Sequence, residues 1–162
     1  MASHRKRSRT RSGASVAQRD AERLRSLTFF LDRQLGRYTV ADALRTAGAQ
    51  VKIQDDHFAQ NTADSVWLAA VGANDWVVIS KDENIRRNPL ERQAYADAKV
   101  RGFVITGKDL GGPELAELLV RALPGMVRRS AGRRGPFLFT ISAAGVFKKL
   151  DIGASPARPT GR

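Results

Sequence analysis

Three aspartates stand where the chain should change direction. Asp32 follows Phe29-Phe30-Leu31, Asp64 opens a short apolar segment, and Asp82 follows Trp76-Val77-Val78-Ile79-Ser80-Lys81. Carboxylates gathered at one point repel unless a cation shares them, and hard cations such as Mg²⁺ and Mn²⁺ choose oxygen ligands. A divalent ion so held can orient water and stabilise phosphoryl oxygens during hydrolysis. Each aspartate also has a plain structural role open to it. Asp32 could start the Arg33–Gly36 turn, Asp64 could serve a helix N-terminus, and Asp82 could cap the polar turn beginning at Glu83.

Whether they can meet depends on the elements between them. Asp64 to about Gly72 reads as an amphipathic helix with Val66, Trp67, Ala70 and Val71 on one face. A turn at Ala73-Asn74-Asp75 leads into the continuous apolar strand Trp76–Ser80. A helix of that length travels about 13 Å and the strand returns roughly 17 Å. Asp82 can therefore come back to the edge where Asp64 began, the edge at which open α/β sheets keep their sites.

The rest of the chain alternates in the same way. Leu27–Leu31 is a strand, a helix runs from about Thr39 to Ala47 with Gly48 closing it, and Ala49–Ile53 is a second strand. Asp55-Asp56-His57-Phe58 reads as a loop, and Glu83–Asn88 as a polar turn. A helix follows from Pro89 to about Lys99, then the strand Phe103–Thr106. The loop Gly107–Gly112 precedes a helix from Pro113, which Pro124-Gly125 should break or kink. Phe137–Ile141 and Val146–Leu150 look like a strand pair, placed at the sheet edge or in a partner contact. The alternation predicts an α/β fold, a mainly parallel sheet with helices on both faces.

Charge is distributed unevenly along the chain. The formal net charge is +12, yet residues 1–25 hold eight Lys/Arg against two acids and residues 128–162 hold eight against one. The middle, 26–127, carries twelve against thirteen. Basic flanks around a nearly neutral, carboxylate-bearing domain suggest a polyanionic partner, although such tails also serve simply as solubilising segments. The predicted division is a basic N-terminal tail without ordered structure (1–26), a core domain (27–130), a basic linker with the strand pair packed on the domain (131–152) and a tail without ordered structure (153–162). Within the first of these, Val16–Leu24 could form a short basic helix. No apolar run approaches 18 residues, no apolar segment follows the basic start, and there are no cysteines. These features predict no membrane span, no secretory signal and no disulfide scaffold, and they suit the cytoplasm.

The segments FFLDRQLG, DDHF with TADSVWL, WVVISKD and GKDLGGPELAELL, taken together, resemble the PIN-like domains of the VapC45-like toxin group. The resemblance spans about Leu27 to Ala122 and extends to the strands ending at Leu150. It implies a three-layer α/β/α sandwich and a Mg²⁺- or Mn²⁺-dependent endoribonuclease, the toxin of a type II toxin–antitoxin pair. It implies RNA as substrate and a cognate antitoxin as partner, with a homodimer as a further option; the basic tails, which would read backbone and not base order, point to a structured RNA such as tRNA or ribosomal RNA. Asp32, Asp64 and Asp82 match the family's site acids, Asp82 in the strand-end "T/S-x-D" signature. The usual acid on a helix between the first two has no clear counterpart, and Asp55 or Asp56 is the substitute, with Asp56 carried as a metal ligand.

Around the acids, Arg33, Lys81 and Lys108 are candidates for the RNA backbone. His57 reads as a loop-packing residue, Glu114 as an ordinary first-turn acid, and Trp67 and Trp76 as core. Two other readings compete: a catalytically inactive PIN-like module that binds RNA or protein, and a phosphoacceptor receiver-like domain. The latter has the wrong order, because its acid pair belongs after the first strand, whereas Asp55-Asp56 follows the second.

Overall fold

The computed structural model describes residues 3–107 and 110–152, with side chains from Ser15 onward. Along the chain the elements are α1 (Ser3–Ser26), β1 (Thr28–Leu31), a single 3-10 turn (Arg33–Leu35), α2 (Thr39–Thr46), β2 (Gln50–Ile53), α3 (Gln54–His57) and α4 (Asp64–Ala73). There follow β3 (Val77–Ser80), α5 (Glu83–Arg87), α6 (Pro89–Asp97), β4 (Arg101–Ile105), α7 (Gly112–Ser130), β5 (Phe137–Ile141) and β6 (Phe147–Leu150). One six-stranded sheet runs in the order β2-β1-β3-β4-β5-β6. All its neighbours are parallel except the last pair, in which β6 returns antiparallel along β5.

Alternation along the strands divides the core into two layers. Phe29 and Leu31 of β1, Val77 and Ile79 of β3, and Phe103 and Ile105 of β4 face a layer completed by α2, α7 and Leu24. Phe30, Val78, Val104 and Leu138 face the opposite layer, built from Trp67, Leu68 and Val71 of α4, Ile85 of α5 and Tyr95 of α6. Both faces are thus covered, which is why these strands read as unbroken apolar runs. Burying each such side chain contributes about 1.5–3 kcal/mol. The Phe30 ring is stacked between those of Trp67 and Trp76, each centroid 5.7 Å away. Both tryptophans therefore have the packing role expected of them.

Four expectations need correction. The backbone is helical over Ser3–Ser26, where a tail without ordered structure and a short helix over Val16–Leu24 were expected. The segment is rich in Arg, a good helix former, and contains no proline, and near its end Leu24 packs on the core. Asp55-Asp56-His57 and Glu83–Arg87 are short helices, not a loop and a turn. Asp82 caps the second of these by accepting the Asn84 N–H at 2.9 Å. Finally, α7 continues through Pro124. A proline inside a helix costs about 3 kcal/mol, but α7 buries Leu115, Leu118, Leu119, Leu123, Met126 and Val127, which outweighs it. Gly125 has a separate reason: a Cβ there would lie 2.6 Å from the Phe147 ring of β6. Among the described residues no helix is long and apolar enough to cross a membrane. The expected tail at 153–162 lies outside the described residues.

Candidate active site

From β1 the chain crosses to β2 on one side and then returns past β1 to β3 on the other. The carboxyl ends of β1 and β3 therefore diverge into a crevice, the usual ligand position in an open α/β sheet. Asp32 leaves β1 there and Asp82 leaves β3, while α4 begins at Asp64 beside them. A cleft of about 330 Å³ is lined by Asp32, Asp64, Asp82, Arg33, Gln34, Gln54, Trp67, Leu68, Glu91 and Tyr95. All three aspartates singled out in the sequence thus face one space.

Each is held by a different device. The Asp32 N–H donates to Ile79 O at 3.0 Å, extending the β1–β3 pairing by one residue. Its Oδ2 accepts the Ser80 hydroxyl at 2.6 Å, and Ser80 Oγ in turn accepts the Asp82 N–H at 3.1 Å. Ser80 is fully buried, so a single hydroxyl ties the two strand-end acids together. Asp64 Oδ1 accepts the Trp67 Nε1–H at 2.9 Å, one turn along α4. The indole is therefore both core and clamp, a role its apolar spacing does not disclose. The capping roles hold as well: Asp82 caps α5, and Asp32 Oδ1 accepts the Gln34 N–H at 3.4 Å. Neither role excludes the other, since a carboxylate has two oxygens and several lone pairs.

The electrostatics favour a cation. Burial pushes the Asp32 carboxyl above its ordinary range, the Ser80 and Gln34 hydrogen bonds oppose that rise, and the Asp82 and Asp64 charges add to it. Glu91 is raised as well, by burial first and then by Asp64 and Asp82. Tyr95 is pushed well above its usual value by burial and then by the surrounding acids, so its hydroxyl stays neutral. The donor set is thus all oxygen and mutually repelling, as suits Mg²⁺ or Mn²⁺. Among the described residues no three His, Asp or Glu side chains converge into a ready-made cage.

The other predicted residues fall variously. Arg33 lines the cleft, its Nε 2.5 Å from Asp55 Oδ1 and its Nη1 donating to Gln60 O at 2.9 Å, while Nη2 is buried without a partner. Lys81 is half-buried and does not line the cleft, and Lys108 lies outside the described residues. Asp55 and Asp56 do not substitute for the missing acid in this arrangement. Asp55 is engaged by Arg33, and Asp56, carried as a metal ligand, faces Arg37 at 3.2 Å instead of the cleft. His57 packs its ring 5.6 Å from Trp76. Glu114 Oε2 accepts the Gly111 N–H at 3.1 Å, a capping role. Glu91 and Tyr95 were not singled out in the sequence. Their spacing of four residues, one helical turn, is the signal that could have found them.

Comparison with known proteins bears on the same segment. The family described as "PIN like domain" matches residues 27–107, a span containing Asp32, Asp64, Asp82 and Glu91. A Mycobacterium tuberculosis protein described as "Putative ribonuclease VapC45" is 31% identical over 125 residues, covering 75% of this chain and 90% of the relative. No solved structure matches the chain at a comparable level.

Proposed function

The chain belongs to the PIN-like domain family, within its VapC45-like toxin group, and from that premise we propose that it is a divalent-metal-dependent endoribonuclease, the toxin of a type II toxin–antitoxin pair. The observation that carries this reading is the cleft at the β1/β3 divergence. It is lined by Asp32, Asp64 and Asp82, and Arg33, the one basic residue lining it among the described residues, is already engaged by Asp55. The name of the mycobacterial relative supports RNA as the substrate.

In this reading Asp32, Asp64 and Asp82 hold Mg²⁺ or Mn²⁺, which when bound supplies a polarised water and charge stabilisation at the scissile phosphate. The protein's contribution is positional. Ser80 fixes the Asp32 carboxylate and the Asp82 backbone, and Trp67 fixes Asp64. Arg33, steered by Asp55 and Gln60 O, stands in the cleft lining as the cationic side chain that would meet the substrate backbone. The folded unit runs from β1 to β6, and residues 1–26 form a basic arm that meets the RNA backbone, with tRNA or ribosomal RNA as the target class. An antitoxin is the protein partner that the toxin reading requires.

End-group analysis of labelled RNA tests the mechanism. Metal-assisted attack by water leaves a 5′-phosphate and a 3′-hydroxyl, and EDTA stops it; a 2′,3′-cyclic phosphate product overturns it. The open spacing of the carboxylates favours one rival, a catalytically inactive PIN-like binding module. The rival prevails if Mn²⁺ titration finds no saturable site that depends on Asp32 and Asp82.

A further inference from the structure

The acid sought on a helix between Asp32 and Asp64 has no clear counterpart in this chain, and neither Asp55 nor Asp56 lines the cleft, being paired with Arg33 and Arg37. A different element reaches the same space. Asn88 caps α6 by accepting the Leu90 N–H at 3.0 Å, and Pro89 starts the helix, so its first turn is fixed. Glu91 lies in that turn and Tyr95 one turn further along. Both line the cleft with Asp32, Asp64 and Asp82. Tyr95 is buried beneath α6, which holds this face of the helix toward the site.

A first-turn acid suits the α6 dipole, but nothing local neutralises the Glu91 charge. Among the described residues none of the ion pairs includes it, and its neighbour Arg92 is turned back to donate to the Ile85 and Arg86 carbonyls. A half-buried carboxylate facing other carboxylates and lacking a basic partner is unfavourable unless a cation enters. Building on the metal-dependent reading above, we infer that Glu91 is the fourth oxygen donor of the metal site. It supplies from α6, beyond the last aspartate, the acid that is missing earlier in the chain. The donor reaches the ion directly or through one of its waters, and in either case its charge adds to the ion's binding.

The test is Mn²⁺ affinity of the full chain, measured by calorimetry near pH 7.5, with melting in EDTA recorded alongside. Parent, Glu91→Gln, Glu91→Asp and Asp82→Asn proteins are compared. Glu91→Gln should weaken Mn²⁺ binding by about tenfold to a hundredfold. It should melt no lower than the parent in EDTA, and Glu91→Asp should recover part of the affinity. If Glu91 merely complements the α6 dipole, Glu91→Gln will melt lower in EDTA and bind Mn²⁺ as tightly as the parent, which overturns the inference. The two readings fail differently. Unaltered Mn²⁺ affinity in Glu91→Gln alongside a loss in Asp82→Asn removes only Glu91. A parent with no saturable Mn²⁺ site, or one unaffected by Asp82→Asn, removes the metal reading and this inference with it.

Discussion

Replacing Ser80 by Ala removes one hydroxyl, leaves the packing almost unchanged, and cuts the link between the two strand-end acids. Ser80 has no exposed surface, donates to Asp32 Oδ2 at 2.6 Å and accepts the Asp82 N–H at 3.1 Å. A buried carboxylate deprived of its donor and a backbone N–H deprived of its acceptor together cost about 3 kcal/mol. For a domain of this size that lowers the melting temperature by roughly 6–12 °C. The pH dependence identifies the cause. Asp32 is raised above its ordinary value in the folded state, and the Ser80 bond limits that rise. Without the bond it must rise further. In strong acid Asp32 is protonated in folded and unfolded chains alike, and the carboxylate part of the deficit is absent. As pH climbs past the unfolded value, the folded state retains its proton longer, so metal-free stability falls in both proteins. The parent stops falling at its own folded value, whereas the variant continues to a higher one. The deficit should therefore be smallest in acid and reach its full size only above the variant's Asp32 titration. Melting in EDTA from acid to neutral pH measures this, and Ser80→Thr should restore the pH-dependent part. A deficit of equal size at every pH would refute the reasoning, leaving Ser80 as a partner of the Asp82 backbone alone.

Asp32→Asn, Asp64→Asn and Asp82→Asn should each lower RNA cleavage in Mn²⁺ by on the order of a hundredfold or more. Each should also leave the metal-free protein as stable as the parent or more so, because one member of a repelling set is gone; a variant that keeps near-parental cleavage strikes that residue from the ligand set. Deleting Met1–Arg19 removes Arg5, Lys6, Arg7, Arg9, Arg11 and Arg19 but keeps Leu24, which packs on the core. At roughly 0.7 per phosphate neutralised, the slope of log affinity against log salt should flatten by at most about 4. Melting temperature and turnover at saturating RNA should scarcely change. Filter binding across 50–300 mM salt checks it, and an unaltered slope takes the arm out of the RNA site.

The fold was legible because its central strands β1 and β3 sit between two helical layers and so lack any polar face. Phe29-Phe30-Leu31 and Val77-Val78-Ile79 announce themselves, and an acid directly after such a run can only be at the sheet's carboxyl edge. Short polar helices were harder. Gln54–His57 and Glu83–Arg87 have no apolar stripe long enough to show a period, and they form because a cap or a flanking strand end supplies their partners. In α7 the local signal was strong and misleading: Pro124 is a breaker by propensity, and long-range burial overrides it.

The site divides along the same line. An acid at a strand end is positioned by the sheet, so its place can be argued from sequence order once the strands are known. Which acid is neutralised locally cannot, because that depends on how loops and helices from different parts of the chain close over the edge. Asp55 and Asp56 follow β2 and look well placed in one dimension, yet Arg33 and Arg37 claim them. Glu91 follows the last aspartate and looks too late, yet α6 folds back across the β1/β3 divergence and brings it into the cleft. With two of the nearby acids already matched to arginines, the cleft acids that take part in no ion pair among the described residues are Asp32, Asp64, Asp82 and Glu91. An acid is thus best judged a metal ligand by the absence of a competing cation at its folded position, and its order in the chain is a weaker guide.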